Sequence, residues 1–285
     1  MISTYEYYSQ PEVRKEILDF SKGRWIALHY MNSSGNLFFR RYLKGKPISA
    51  DDLGSLVNQG NNMLRSIYAT ANVYNRIRNV EDVYDPSNIL YCTPTWDIDG
   101  FLSKWRKTLN IAKKIIRFLN SWGIKKSVYI KWSGNGCHVH INEKSISGDL
   151  REKYNPLDLA YAIVEYVTSK LLLKPDSLLF EKIKVENKMD PARVFTCPLS
   201  LHRKLNVACI CMKPEEINEF TPKWINPQNF KHNSQWRDFE EGESDKLAKA
   251  AYAAVGGYPL KFRGRFKPRK TKPLDKQILE WLMKD

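Results

Sequence analysis

Two acidic side chains are spaced so that they could share a divalent cation. Asp97 and Asp99 stand two residues apart at the end of residues 88–99, a stretch rich in strand-forming side chains that closes at Gly100. Residues two apart in a strand project to the same face, about 7 Å from each other. Carboxylate oxygens are the ligands that Mg²⁺ and Mn²⁺ prefer. The alternative interpretation is a solvated strand edge that carries the same pattern by chance.

A glycine-rich turn further along the chain has a hydroxyl and an imidazole at its two ends. The segment is Ser133-Gly-Asn-Gly-Cys-His138, and Gly134 and Gly136 would let backbone amides come close to a phosphate. An ordinary hairpin with an inert histidine is the alternative. A zinc site on His138 and His140 is a weaker one, because neither a cysteine nor a third histidine stands nearby in sequence.

A third segment combines a hydroxyl, an imidazole and two cations within five residues. It is Ser200-Leu-His-Arg-Lys204, in which His202, Arg203 and Lys204 are suited to holding a triphosphate. A basic surface loop would have the same composition.

Hydrophobic periodicity predicts the elements that must position these groups. Helices are predicted over residues 103–122 and 156–171, and both should cover a sheet. A tight turn at 133–136 joins two of the predicted strands, and residues 180–186 and 193–197 are predicted to form a further hairpin. The predicted strands are 88–92, 95–99, 126–132, 137–141, 180–186, 193–197 and 206–211. The predicted fold class is therefore α+β.

The composition excludes several classes of protein. With 285 residues, 42% apolar and 12% aromatic, the chain can bury a sizeable core, which excludes a mainly disordered protein. Lys and Arg outnumber Asp and Glu by 46 to 31, and a net charge of +15 favours a polyanionic partner such as nucleic acid.

The sequence also gives expectations about the cellular compartment and about a structural zinc site. Apolar runs are much shorter than the ~18 residues of a membrane span, so we expect no membrane association. The first residues lack the features of a secretory signal, so we expect a cytoplasmic protein. Five cysteines without a C-x-x-C pair disfavour structural zinc.

The order of the motifs resembles the archaeo-eukaryotic primase superfamily, most closely the small catalytic subunit of archaeal DNA primase. Residues 96–99 look like its first motif, residues 133–138 like its second, and residues 193–204 like its third region. Residues 65–71 and 7–9 are also similar to segments of that family. The similarity extends from residue 5 to residue 212.

The resemblance implies a primase-polymerase (RRM-like) catalytic core over residues 1–212, with mixed or antiparallel sheets flanked by helices, and a C-terminal extension over residues 213–285. It implies a nucleotidyltransferase that makes or extends primers on single-stranded or primed DNA. Mg²⁺ or Mn²⁺ would be the cofactor, nucleoside triphosphates the substrates, and the nucleoid the place of action. A larger primase subunit and replication proteins are further candidate partners.

The resemblance also assigns roles to individual residues. Asp97, Asp99 and His138 would be catalytic, and the third carboxylate of the metal site would be either Glu186 or Asp190, of which Asp190 joins the catalytic set. The nucleotide-binding residues would be Ser133, Gly134, Gly136, His138, Ser200, His202, Arg203 and Lys204.

Several positions depart from the family pattern. The second motif lacks the usual arginine, Thr196 stands where an arginine is common, and no cysteine lies between Asp99 and Ser133 to form a zinc knuckle. A catalytically degenerate subunit that binds nucleic acid is therefore one alternative function. A metal-dependent hydrolase that uses His138 and His140 is another.

The end of the chain is basic. Residues 261–272 contain no acid and interleave Phe262 and Phe266 with cations, a pattern suited to single-stranded nucleic acid, although a solvated linker is equally consistent. Leu274, Ile278 and Leu282 then predict a short amphipathic helix that either docks a partner or folds back. The expected nucleic-acid contacts in this tail are Lys261, Arg263, Arg265, Lys267, Arg269 and Lys270.

Overall fold

Helices precede and follow the region that carries the motifs, residues 96–204, and also connect strands within it. The structure, a computed structural model, describes residues 3–32, 34–58, 64–172 and 185–259. Within these ranges the α-helices are α1 Thr4–Ser9, α2 Pro11–Ser21, α3 Ala50–Asn58, α4 Trp105–Ser121, α5 Gly148–Lys153, α6 Pro156–Leu172 and α7 Asp245–Val255. Short 3₁₀ helices cover Glu81–Val83, Pro86–Asn88, Leu102–Lys104, Glu143–Ser145, Pro214–Asn218, Pro222–Ile225 and Ser234–Arg237.

The strands are short and pair in antiparallel fashion. They are β1 Ile26–Met31, β2 Leu37–Arg40, β3 Tyr42–Leu43, β4 Lys46–Pro47, β5 Leu64–Thr70, β6 Asn72–Tyr74, β7 Ile89–Cys92, β8 Thr95–Ile98, β9 Val128–Trp132, β10 Cys137–Ile141, β11 Val185–Glu186, β12 Val194–Thr196 and β13 Ile210–Met212. A five-stranded sheet has the order β11-β8-β10-β9-β13, and a four-stranded sheet has the order β12-β5-β1-β2. The remaining pairs are β3-β4 and β6-β7.

The centre of the five-stranded sheet is buried on both faces. Every residue of β9 and β10 is buried, which is why these strands are apolar in sequence apart from Lys131, His138 and His140. Helices α4 and α6 pack against this sheet. Gly123 ends the turn after α4 with a φ of 89°, a conformation that glycine adopts without steric cost. The predicted helices over 103–122 and 156–171 are confirmed.

The hairpin predicted between residues 180–186 and 193–197 is wrong. Val185–Glu186 pairs with β8 in the five-stranded sheet, whereas Val194–Thr196 pairs with β5 in the four-stranded sheet. The turn residues between them redirect the chain instead of reversing it. The carbonyl of Pro191 accepts hydrogen bonds from Asn72 Nδ2 and from Tyr74 Oη, both at 2.9 Å, which draws this turn towards the second sheet.

The residues after 212 share the core of the rest of the chain. Ile217, Phe220 and Leu247 belong to the same cluster of buried apolar side chains as the two sheets, and α7 packs against α6. The expected extension over residues 213–285 therefore contributes to one core as far as the structure describes it. The rest of that extension, with the basic tail and the terminal helix, lies outside the described residues, and the boundary at 212 stays a prediction.

The fold class is confirmed as α+β, with antiparallel sheets flanked by helices. All five cysteines are buried and unpaired. Among the described helices, none is both long and apolar enough to cross a bilayer.

Candidate active site

A cavity of about 600 Å³ lies where the two larger sheets meet. The five-stranded sheet contributes residues of β8 and β10, and the four-stranded sheet contributes residues of β1, β2, β5 and β12. All three sequence motifs reach this cavity. The predicted site residues that line it are Asp97, Asp99, Ser133, Gly136, His138, His202 and Arg203.

Asp97 is the most constrained acid in the cavity. Its Oδ1 lies 3.3 Å from His138 Nε2, and its Oδ2 accepts a 2.7 Å hydrogen bond from Lys188 Nζ. Burial alone would raise the pKa of this carboxyl, but the hydrogen bond from His138 and the Lys188 ammonium hold the pKa well below its usual range. Asp97 is therefore charged at neutral pH.

Strand pairing places His138 beside this carboxylate. His138 is the direct cross-strand partner of Asp97 in the β8–β10 pair, so the two side chains share one face of the sheet. Burial lowers the pKa of His138, against the opposing effect of Asp97, and the ring is neutral at neutral pH. Its Nδ1 is buried without a hydrogen-bond partner among the described residues. Ser133 Oγ lies 3.5 Å from its Nε2.

The glycines of the turn permit two close approaches. Gly134 has a φ of 132°, and a Cβ at this position would lie 2.5 Å from His202 Cδ2. A Cβ at Gly136 would collide with the carbonyl oxygen of Ile98. The turn itself is closed by a 3.0 Å hydrogen bond from the Ser133 amide to the Gly136 carbonyl. Only glycine at these two positions lets the second motif pack against the first and the third.

His202 is fixed in one tautomer by its own loop. The His202 Nδ1 accepts backbone N–H groups from Lys204 at 3.2 Å and Leu205 at 2.9 Å, so the proton is on Nε2. Burial, with the neighbouring charges of Arg203 and Arg65, lowers the pKa of His202 to about 4. The imidazole is therefore a neutral hydrogen-bond donor through Nε2 at neutral pH.

Lys188, Arg193 and three aromatic residues line the cavity although the sequence analysis did not name them as site residues. Lys188 bridges Asp97 and Asp99, with Nζ at 2.7 Å and 3.2 Å from their Oδ2 atoms. Arg193 Nη2 lies 3.6 Å from Asp97 Oδ2. The other three are aromatic: His29, Phe39 and Tyr68. The aromatic pair Phe38-Phe39 is visible in the sequence, but nothing local indicates that its strand reaches the site.

The structure does not bring every predicted site residue to the cavity. Asp190 accepts the Ala192 amide at 2.7 Å and caps its own turn. Ser200 is fully buried, where its Oγ accepts the Ile67 amide at 2.7 Å and so holds the loop to β5. Lys204 is exposed beside the cavity and does not line it.

Of three further predicted groups, two lie outside what the structure describes and one lies away from the cavity. Glu186 stands directly opposite Asp97 in the β11–β8 register, and its side chain lies outside the described part of the chain. The tail contacts from Lys261 to Lys270 also lie outside it. His140 does not line the cavity, because it stacks on Tyr129 at 4.7 Å and bonds Thr95 through Nδ1.

The carboxylate pair fits a divalent cation in part. The Lys188 ammonium stands in for a cation here, and both Oδ2 atoms turn towards it, which shows that Asp97 and Asp99 can share one positive ion. No cluster of three or more His, Cys, Asp or Glu side chains suited to a metal ion occurs among the residues the structure describes. Mg²⁺ commonly uses one or two carboxylates together with substrate phosphates and water, and this donor set suits that mode.

Comparison with solved structures finds proteins of similar fold. The polymerase domain of Mycobacterium tuberculosis ligase D, solved in complex with DNA, is similar to this chain with a TM-score of 0.52 and 13% sequence identity. The match covers 88% of each chain. No family model and no curated protein sequence matches the chain.

At this identity the similarity shows the fold alone. The chain has a fold of the primase-polymerase type, which confirms that part of the expected resemblance. The more specific likeness to the archaeal small subunit stays a prediction.

Proposed function

We propose that this protein is a nucleotidyltransferase of the DNA primase or polymerase type, which makes or extends a primer on a single-stranded template. One observation carries the proposal. Asp97, His138 and His202 come from three separate motifs, the first and last of them 105 residues apart, yet they line one cavity in a fold of the primase-polymerase type. The expected chemistry of the three motifs, which is cation binding and phosphate binding, requires this convergence.

The phosphate-binding side of the cavity would hold the incoming nucleotide. The Nε2–H of His202 is a neutral donor, the guanidinium of Arg203 supplies charge, and Ser133 lines the same cavity. Gly134 and Gly136 let the turn pack closely against His202 and the Ile98 carbonyl, which brings the second motif beside the other two. Donors fixed in a partly dry site stabilise charge as pyrophosphate leaves.

The acidic side would hold the cations and the growing strand. Asp97 and Asp99 would bind Mg²⁺ or Mn²⁺, which when bound would neutralise charge on the attacking and leaving oxygens of an in-line displacement. In that reaction the primer 3′-hydroxyl gives up its proton to solvent and its oxygen bonds to the α-phosphorus. The bond from that phosphorus to the bridging oxygen of pyrophosphate breaks, and pyrophosphate leaves. His138 keeps Asp97 oriented through the contact with Oδ1.

The aromatic side of the cavity suits a nucleobase. His29 and Phe39 lie 4.9 Å apart between ring centroids, and Tyr68 contacts both rings. Flat aromatic faces beside a phosphate-binding wall are the features that a nucleotide or a template base requires. The net charge of +15 would attract the template strand.

A primer-extension assay tests the proposal. Purified protein is incubated with a primed DNA template, labelled nucleoside triphosphates and Mn²⁺, beside the D97N/D99N variant. We expect metal-dependent incorporation by the parent protein and a loss of about 10³-fold or more in the variant, as for other groups that stabilise developing charge. The exposed Asp51→Asn is the control and should incorporate normally. Full incorporation by D97N/D99N would refute the mechanism.

A degenerate subunit that binds nucleic acid without catalysis is the second candidate. The observation that favours it is the ion pairing of Lys188 with both carboxylates, which occupies the place of a cation. The same assay separates the two functions. Template binding with no incorporation at any Mn²⁺ concentration would establish the second candidate.

A further inference from the structure

Lys188 occupies the position between the two carboxylates that a shared cation would take. Its Nζ lies 2.7 Å from Asp97 Oδ2 and 3.2 Å from Asp99 Oδ2, and its side chain is 20% exposed. We infer that Lys188 is a built-in competitor of the divalent cation, which must move away before the ion can bind both carboxylates. This inference rests on the proposed function, since it concerns the same acidic pair.

The pairing of Asp97 shows why the lysine has to leave. Oδ1 of Asp97 faces His138 Nε2 at 3.3 Å, and Oδ2 faces both Lys188 and, at 3.6 Å, Arg193. Each oxygen of this carboxylate is therefore engaged. A divalent ion that binds Asp97 and Asp99 together would meet an ammonium group a few ångströms away, and the like charges repel strongly in a partly buried site.

The local backbone allows the side chain to move without disturbing the fold. Lys188 lies between β11 and β12, outside helices and strands. The preceding Asn187 is anchored, because its Nδ2 donates to Tyr161 O at 3.1 Å and to Glu165 Oε2 at 3.0 Å. The Asn187 Oδ1 also accepts the Met189 amide at 3.1 Å. The chain is thus held on both sides of Lys188, so displacement needs only its four side-chain torsions.

The competition has a consequence for the order of binding. While the cavity holds no ion, Lys188 neutralises the repulsion between the two carboxylates and keeps them assembled. A nucleoside triphosphate would bring negative charge into the same cavity and offer the displaced ammonium a new partner. Divalent cations should therefore bind weakly to the protein alone and more tightly with nucleotide present, and Lys188 should be responsible for part of that difference.

Binding of Mn²⁺ in the absence of nucleotide, followed by electron paramagnetic resonance, tests the competition. Removal of the ammonium in Lys188→Met should tighten Mn²⁺ binding about tenfold or more, since the effect corresponds to one close like charge. Arg203→Met is the matched control, because Arg203 lines the cavity without an ion pair to Asp97 or Asp99 among the described contacts. It should tighten binding much less.

The variants separate failure of this inference from failure of the proposed function. If D97N/D99N binds Mn²⁺ as well as the parent protein, the metal site itself is misassigned and the proposed function falls with it. If D97N/D99N loses binding while Lys188→Met binds no tighter than Arg203→Met, only the competition is refuted.

A labelling experiment on the unmutated protein provides a second readout. Brief treatment with acetic anhydride, mapped by mass spectrometry, reports how accessible each lysine amine is. Saturating Mn²⁺ should increase acetylation of Lys188 relative to the exposed Lys223, because the ion expels the ammonium from its carboxylate pair. Acetylation of Lys188 that stays constant or falls when Mn²⁺ is bound would overturn the inference.

Discussion

Asp97 and His138 are direct cross-strand partners, and their side chains meet at 3.3 Å on the cavity face of the five-stranded sheet. The short turn at 133–136 joins β9 to β10, and β10 lies between β9 and β8. The first and second motifs are therefore adjacent as a result of strand register. The third motif reaches them from a loop, and Gly134 is the point of contact.

Substitution of Gly134 should separate the second motif from the third. We expect Gly134→Ala to lower the free energy of unfolding by about 1–3 kcal/mol and to weaken nucleotide binding, because the new Cβ would meet the His202 ring. Chemical denaturation and nucleotide titration measure the two effects. Gly45→Ala is the control: Gly45 has a φ of 80° but nothing within 4 Å of its missing Cβ, so it reports backbone strain alone. Equal nucleotide affinity in both variants would contradict the assigned contact.

The stability of the protein should fall as the pH drops below 6.5, in part through His202. Burial and nearby cations lower the pKa of His202 from 6.5 to about 4. Above pH 6.5 both folded and unfolded states hold this ring neutral. Between about 6.5 and 4 the unfolded chain takes up a proton that the folded state refuses, so the free energy of unfolding decreases, and below 4 the loss levels off.

Urea denaturation at pH 7.5 and pH 5.0 measures this effect. His202→Gln should lose less stability over that interval than the parent protein, by about 1 kcal/mol once solvent screening of a partly exposed ring is taken into account. Burial also lowers the pKa of His29, His138 and His140, so a smaller loss should persist in the variant. An identical pH dependence in the two proteins would exclude His202 as a source.

Local sequence patterns predicted the parts of the site whose position depends only on residues close in sequence. The strand, tight turn and strand around Ser133 place His138 by periodicity alone, and Asp97 and Asp99 follow from the end of an apolar strand. Lys188 and Phe39 could not be found in this way. They reach the cavity only because β11 and β12 join different sheets and because β2 lies at the edge of the second one, and both relationships are tertiary.

Ser200 and Asp190 show the opposite error of sequence-based prediction: both were predicted as site residues, and neither lines the cavity. Their residue types fit the expected chemistry, but each meets a backbone amide first: Ile67 for Ser200 and Ala192 for Asp190. Short polar side chains compete for backbone groups at turns, and sequence spacing does not reveal which partner is closer.

Phe39 should contribute to the binding of a nucleobase. Its ring lines the cavity beside His29 and is 51% exposed, so it is available for stacking. Phe39→Ala should weaken binding of a nucleotide or of a single-stranded template by about 1–3 kcal/mol, the usual effect of losing one stacked base. Phe38→Ala is a close control, because Phe38 is similarly exposed on the opposite face of the same edge strand. Equal losses in the two variants would show that general surface aromaticity, not the cavity, is responsible.

Lys131 is a buried cation beside His138, and its replacement should have opposite effects on stability and on nucleotide binding. The side chain is fully buried opposite His138, where Nζ donates a 2.9 Å hydrogen bond to the Thr196 carbonyl and lies 4.3 Å from the Phe20 ring centre. Burial lowers its pKa, because the charged form is poorly solvated there.

Lys131→Met keeps the volume and removes this charge. Among the described residues no carboxylate pairs with Lys131. The gain from no longer burying its charge should exceed the loss of one hydrogen bond, so we expect the free energy of unfolding to rise by about 1 kcal/mol. The same change removes a positive charge beside His138 and Thr196, which line the cavity, and should weaken nucleotide binding. Denaturation and nucleotide titration, with the exposed Lys125→Met as control, measure both. A variant that is less stable and binds nucleotide normally would show that Lys131 acts through its hydrogen bond to Thr196 and not through its charge.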